Sequence, residues 1–262
     1  MKKILVLISC LIAFRGESVQ IFPVAASPEP NSLILQIVLP LTEDIVSQDP
    51  VRVQLRLRGY PLGIKSVLPR ADEVLNFPEG QSIHVVVDGR PYFPKSNTPV
   101  DLFSQNDSYY ETMYQFEIPY ALAEGKHLLE VFPARSFGES LKGEGCYASQ
   151  IFYVKNTKAN PKLDGLDRPY LIYSEPGNYF RFQEGKPILL DFYIRNVTLE
   201  SDGYKVHIFL DNEPMDFLKR WGPYYMLGVK KGEHTLRLQL VDKNHKPLEG
   251  EFCTVEGKFI VE

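Results

Sequence analysis

The sequence predicts an all-β protein, two tandem antiparallel β-sandwich domains after a short N-terminal signal segment. Three observations predict it. One pattern of short apolar runs occurs twice, from about Asn31 to Lys155 and again from about Arg168 to Glu262. The runs alternate apolar and polar side chains or are rich in β-branched and aromatic residues, as strands with a buried face are. The 20 prolines and 18 glycines fall largely between the runs, where turns need fixed or positive φ.

The 262 residues suffice for two cores of ordinary size, and 44% hydrophobic against 24% charged content argues against a disordered chain. A net charge of -4 gives no basic field for a phosphate backbone, so nucleic acid is not an expected partner. Met1-Lys2-Lys3 and the apolar run Ile4 to Phe14 read as a secretory signal, with residues 1–26 as leader and spacer. The run is ended by Arg15-Gly16-Glu17 and falls short of the roughly 20 residues that span a bilayer. Val24-Ala25-Ala26 is a cleavage candidate lying well downstream of it. Leu7-Ile8-Ser9-Cys10 resembles the lipobox of bacterial lipoproteins, which makes Cys10 a lipidation candidate; the alternative is an ordinary residue of the apolar run. Export to the periplasm or cell surface is expected. A membrane would then be met only through an N-terminal lipid or an uncleaved leader.

The repeat fixes the elements. Gly125 to Lys155 aligns with Gly232 to Glu262 without a gap, and nine positions are identical, among them His127 with His234, Cys146 with Cys253 and Phe152 with Phe259. Upstream, Ile83 to Pro91 faces Val206 to Pro214, and Pro50 to Leu57 corresponds to Pro187 to Ile194. In the first copy, domain 1 (31–155), strands are predicted near Leu33–Leu39, Val51–Arg58, Ile83–Asp88, Thr112–Ile118, His127–Pro133 and Ala148–Lys155. In the second, domain 2 (168–262), they fall near Tyr170–Ser174, Pro187–Arg195, Lys205–Asp211, Tyr224–Val229, His234–Asp242 and Thr254–Val261. Residues 156–167, rich in Lys, Asn, Asp, Pro and Gly, read as a linker. Asp88-Gly89 and Asp211-Asn212 read as hairpin turns, since short side chains tolerate φ > 0. Six or seven short strands per copy suggest an Ig-like sandwich. The phrase Gly-x-His-x-Leu-x-(Val/Leu), at Gly125 and at Gly232, with Val206-His-Ile-Phe-Leu-Asp211 ahead of the second, resembles strands of bacterial Ig-like or fibronectin-III-like envelope modules. The resemblance implies an extracytoplasmic binding, spacing or structural role and carries no functional residues with it.

Candidate chemistry is sparse. His84, His127 and Cys146 recur as His207, His234 and Cys253, but antiparallel pairing puts His127 and Cys146 at opposite ends of a hairpin, which argues against a shared metal ion. They read instead as strand-end imidazoles bonded to backbone and small buried thiols, each Cys sharing a face with the following Phe and Val. No motif for a cofactor or for catalysis is present, so no cofactor and no enzymatic activity are expected. Exposed aromatic residues in or beside the unequal connections 92–111 and 213–222 are the ligand-binding candidates: Tyr109 and Tyr110 at one, Phe217, Trp221, Tyr224 and Tyr225 at the other, with the cation Arg220 next to Trp221. Aromatics that cap the core are the competing reading for all of them. The expected role is a non-catalytic exported envelope or surface protein, a binding, adhesion or structural module whose partner is a protein or a glycan. The alternative is a carbohydrate-binding or enzyme-accessory module that uses the Trp221 cluster.

Overall fold

The computed structural model describes residues 18–47, 49–96 and 111–262. The leader, Cys10, Tyr109 and Tyr110 lie outside these residues. The first strand, β1, is Gln20–Pro23. The N-terminal half then contributes β2 (Ile34–Leu39), β3 (Ile45–Val46), β4 (Arg52–Arg58), β5 (Ser82–Val87), β6 (Phe93–Lys95), β7 (Glu111–Glu117), β8 (Gly125–Ala134) and β9 (Ala148–Val154), with one helical turn, α1, at Arg70–Glu73. The C-terminal half contributes β10 (Tyr170–Glu175), β11 (Arg181–Phe182), β12 (Ile188–Arg195), β13 (Lys205–Leu210), β14 (Glu213–Leu218), β15 (Tyr224–Leu227), β16 (Gly232–Val241) and β17 (Thr254–Val261). Each of the predicted strands has its counterpart here within a few residues.

Both halves build the same pair of sheets. The first has the orders β2-β4-β7 and β3-β9-β8-β5-β6, the second β10-β12-β15 and β11-β17-β16-β13-β14. In each, the short strand at one edge of the larger sheet, β3 or β11, runs parallel to its neighbour while the longer pairs are antiparallel. Equivalent residues hold equivalent register, His127 opposite Phe152 and His234 opposite Phe259. This is the Ig-like or fibronectin-III-like sandwich, used twice. Each pair of sheets closes on its own core. One gathers Val53, Leu55, Leu57, Val85, Val131 and Phe152, the other Leu190, Phe192, Val206, Ile208, Leu238 and Phe259.

The turns are built as read. Asp88 and Gly89 have φ of 53° and 67°, Asp211 and Asn212 of 52° and 69°, the conformation that lets a tight hairpin follow the strand twist. Each aspartate does a second job. Asp88 accepts from the backbone N–H of Leu128 at 2.9 Å and meets His127 Nδ1 at 2.7 Å, while Nε2 faces the Ala123 carbonyl at 2.7 Å. The second copy repeats this clip with Asp211, Thr235, His234 and the Lys230 carbonyl. Burial pulls the His127 imidazole down, but the Asp88 hydrogen bond, the Ala123 carbonyl and the Asp88 charge outweigh it and hold it above the usual histidine range. The recurring histidines His127 and His234 are therefore strand-end clips, and Cys146 and Cys253 are free thiols inside the two cores. Burial pushes the Cys146 thiol up to about 11, an unreactive setting.

Strand burial separates outer from inner layers. β4 alternates, with Val53, Leu55 and Leu57 inward and Arg52, Arg56 and Arg58 outward. By contrast β5 and β10 are buried at every position, β12 at all but Arg195 and β8 at all but Lys126. A strand buried on both faces needs a layer on each side. The second layer is the other sandwich: the outer face of β5 and β8 packs on the outer face of β10 and β12 through Val86, Tyr92, Phe132, Tyr170, Ile172 and Tyr193. The two sandwiches thus share a face-to-face seam. The connection 156–167, read as a linker, is packed as well: Leu163 is buried, and the Lys158 carbonyl accepts from Lys126 N at 2.8 Å.

Residues 18–29, of which 18–26 fall in the segment read as leader and spacer, form a strap across this seam. β1 pairs antiparallel with β15, Gln20 opposite Leu227 through Pro23 opposite Tyr224, and extends the C-terminal sheet by one strand. The chain then crosses to the N-terminal sandwich. There Ser27 donates from N and Oγ to the Glu139 carboxylate at 2.8 and 2.6 Å, and Glu29 accepts from the Lys142 and Gly143 backbone N–H groups at 2.7 and 2.6 Å.

Candidate functional site

The seam is held by ionisable groups withdrawn from water. On the N-terminal side, Lys142 Nζ reaches Asp191 Oδ1 of β12 at 2.6 Å, and Ser140 donates to the other oxygen from its hydroxyl and its N–H. Arg70 binds Glu139, the Ala25 carbonyl and the Tyr225 hydroxyl, so α1 ties the strap to β15. Glu130 of β8 accepts from the Tyr147 and Tyr170 hydroxyls at 2.6 and 3.0 Å. Burial pushes its carboxyl up to about 7 against those two hydrogen bonds. Glu175, at the end of β10, accepts from the Tyr92 hydroxyl and from Gly177 N. Burial outweighs both and lifts it to about 8.

At one mouth of the seam lies a cleft of about 200 Å³, lined by Tyr92 from the N-terminal sandwich, Tyr173, Ser174 and the loop Gly177–Tyr179 from the other, and Glu256, Gly257 and Lys258 of β17. Two glycines make room for its rings. A Cβ on Gly177 would sit 2.9 Å from the Tyr92 hydroxyl, and one on Gly257 would lie 2.1 Å from the Tyr173 ring. Tyr92 is fixed from behind by His84, stacked on it at 3.7 Å between centroids with planes 7° apart. Tyr179 stands at the entrance, 48% exposed, its centroid 5.6 Å from that of Tyr92. Aromatic faces, a serine, an amide, a carboxylate and an ammonium therefore converge on one concavity where two domains meet, the usual position of a ligand site.

His84 corrects an expectation. It is not bonded to backbone at a strand end but buried at the seam, with Nδ1 3.2 Å from Ser174 Oγ. Serine and histidine in hydrogen-bond reach suggest a nucleophile and its base. The electrostatics argue otherwise: burial, then the Lys142 charge, push the imidazole down to about 3, so near neutral pH it has almost no tendency to take the serine proton.

The aromatic residues singled out from sequence are dispersed. Trp221 turns inward, its Nε1–H donating to the Phe192 carbonyl at 3.0 Å and its ring meeting Tyr193 edge-on at 5.3 Å. Tyr224 and Tyr225 are buried on opposite faces of β15, one in the C-terminal core and the other against Phe22 and Arg70. Phe217 stacks between His207 and His245 in the opposite sheet, at 4.3 and 4.1 Å. Arg220 is exposed and donates to the Val24 carbonyl of the strap at 2.6 Å. No stacking platform forms around Trp221, because its neighbours alternate into two different cores. Trp221→Ala is accordingly expected to lower stability by about 2 kcal/mol through lost packing while leaving ligand binding intact. Thermal unfolding beside a binding titration checks this, and lost binding at unchanged stability would contradict it. Among the described residues no group of three or more His, Cys, Asp or Glu side chains is placed to hold a metal ion, and no helix is long and apolar enough to cross a membrane.

The buried carboxyls set a pH dependence. In the folded chain Glu130 and Glu175 keep protons that the unfolded chain releases at ordinary glutamate values, so stability falls as pH rises from about 4.5 through 8. His84 acts in the opposite sense: its contribution is complete above the ordinary histidine value and is lost as pH falls toward about 3. Two carboxyls outweigh one imidazole, so the melting temperature is expected to peak at about pH 4.5 and to drop by several degrees toward pH 8.5. Glu175→Gln should flatten the upper limb, since its amide can donate to the Tyr92 hydroxyl and still accept from Gly177. An unchanged slope in that variant assigns the effect elsewhere.

No protein-family model matches the chain, and no curated protein matches it in sequence. Among solved structures it is similar to the fibronectin(III)-like modules of Clostridium thermocellum CbhA, at 10% identity over 87% of this chain and 94% of that one, TM-score 0.30. It is also similar to the central fibronectin-III array of RIM-binding protein, at 11% identity over 85% and 69%, TM-score 0.24. A third is Bacteroides ovatus SGBP-B in complex with a mixed-linkage heptasaccharide, at 15% identity over 93% and 47%, TM-score 0.19. At these scores the likeness assigns no function. Strand order, the two cores and the seam by themselves define a double Ig-like or fibronectin-III-like β-sandwich.

Proposed function

We propose that this protein is exported to the cell envelope and serves there as a non-catalytic binding module that takes its ligand in the seam cleft. The observation that carries this reading is the cleft itself, a concave, mixed aromatic and polar site assembled from both sandwiches. The suppressed basicity of His84 beside Ser174 supports a role in binding over acyl transfer. The charged start and short apolar run of residues 1–14 support export. The test has two arms. Fractionation of the source cells with mass spectrometry of the chain should find it in the envelope or periplasm. Hydrogen exchange of the full chain, with and without envelope extract, should show protection at Asn178–Tyr179 and Glu256–Lys258. A cytoplasmic chain that retains its leader and gains no protection would overturn the reading.

A further inference from the structure

The cleft does not end at Lys258. A second depression of about 350 Å³ adjoins it, lined by Asn178 and Lys258 again together with Glu233, His234, Thr235 and Phe259. The two hollows share Asn178 and Lys258, so they form one groove running from the seam along β17 and β16. Thr235 is the register partner of Lys258, which puts their side chains next to each other on one face, and Glu233 and Glu256 each lie two residues along on that face.

From this we infer that the groove is a two-subsite site for a linear, uncharged oligosaccharide, an inference that rests on the cleft being the ligand site. The first subsite supplies flat rings, with Tyr179 half exposed at the entrance, suited to the C–H face of a sugar. The rim of the two hollows mixes acceptors and donors: Glu256 at the first, Lys258 and Asn178 at both, Thr235 and Glu233 at the second. A sugar ring carries neighbouring hydroxyls that each donate and accept, and so satisfies such a rim without carrying charge of its own. Carboxylates outnumber ammonium groups along it, which disfavours an anionic ligand. An added peptide strand fits less well. The segment 178–180 leads into β11, which pairs with Ile260 and Val261, so it already runs in the lane beside β17 that such a strand would use. His234 stays committed to its clip with Asp211 and the Lys230 carbonyl and serves as wall.

The test is calorimetric titration of the full chain with cello-, xylo-, manno- and N-acetylchito-oligosaccharides from the monosaccharide to the hexasaccharide. In at least one series, affinity is expected to rise about tenfold or more on adding the second ring, since the second subsite then fills. Tyr179→Ala should weaken binding about tenfold and Glu233→Ala, which touches the second hollow alone, should weaken it for the longer sugars only, with melting temperatures unchanged because both side chains are exposed. Equal affinity for monomer and longer sugars would overturn the two-subsite assignment. Absence of binding in every series would overturn the saccharide assignment. The exchange experiment then separates the two ideas: protection of the groove by envelope extract keeps the binding function while the saccharide inference falls, a captured peptide does the same, and no protection removes both.

Discussion

Removing residues 18–26 is expected to destabilise the protein by about 4 kcal/mol or more, enough to leave much of a chain of ordinary stability unfolded or aggregated. Three losses add. Val19 and Ile21 leave the C-terminal core, and Phe22 leaves the face of Tyr225, 6.1 Å away edge-on. β15 keeps β12 but loses its other pairing partner and becomes a sheet edge open to other chains. Arg70 and Arg220 lose the Ala25 and Val24 carbonyls that they bind. Denaturant unfolding of the deletion checks this; where it does not express, Ile21→Ala should still cost about 1 to 2 kcal/mol at a half-buried site. A wild-type midpoint in both would contradict it. The expectation bears on processing: cleavage after Ala26 would generate the destabilised form, so the mature N-terminus in the source cells should lie upstream of Val19.

Asp191→Ala is expected to cost about 3 to 5 kcal/mol, the usual cost of stranding a buried charge. Asp191 is 0% exposed in the middle of β12, and its carboxylate takes the Lys142 ammonium as well as the Ser140 hydroxyl and N–H from across the seam. Burial holds its pKa above the usual carboxylate value, and the Lys142 charge with the Lys142 and Ser140 hydrogen bonds offsets only part of this, so each partner depends on the other. Without the carboxylate, Lys142 must either stay charged against the Trp221 and Tyr193 rings or pull out and open the seam. Replacing both partners, as Asp191→Leu with Lys142→Met, should recover part of the loss, since the stranded ammonium is gone while the buried Ser140 hydroxyl and N–H still lack the carboxylate that accepted from them. A double-mutant cycle in denaturant measures this, and additive losses would contradict the coupling.

The sequence revealed the strands, because alternation such as Val53, Leu55, Leu57 has a single two-residue period, and it revealed the duplication through matched residues at fixed spacing. The turns at Asp88-Gly89 and Asp211-Asn212 followed from residue type. β1 was hidden because four residues, Gln-Ile-Phe-Pro, directly after an apolar leader carry no periodicity of their own, and its partner β15 lies at the far end of the chain. β3 and β11 are too short to announce themselves. The site was illegible for a different reason: Tyr92 and Tyr179 belong to different repeats, and only the seam brings them together. A signal was nonetheless present. Ile83 to Val87 and Ile188 to Ile194 are apolar runs without alternation, a mark of burial on both faces, and the polar residues within or beside them, His84 and Asp191, are the ones that the seam uses. Trp221 misled because an indole in a turn looks exposed until a backbone carbonyl, here that of Phe192, is found to accept its N–H.

Everything proposed for the cleft requires the two sandwiches to be one body, and scanning calorimetry of the full chain measures that directly. The structure predicts a single transition whose calorimetric and van't Hoff enthalpies agree, since the strap, the Lys142–Asp191 pair and the Tyr92–Glu175 contact all break together. Two resolved transitions, one per sandwich, would contradict it.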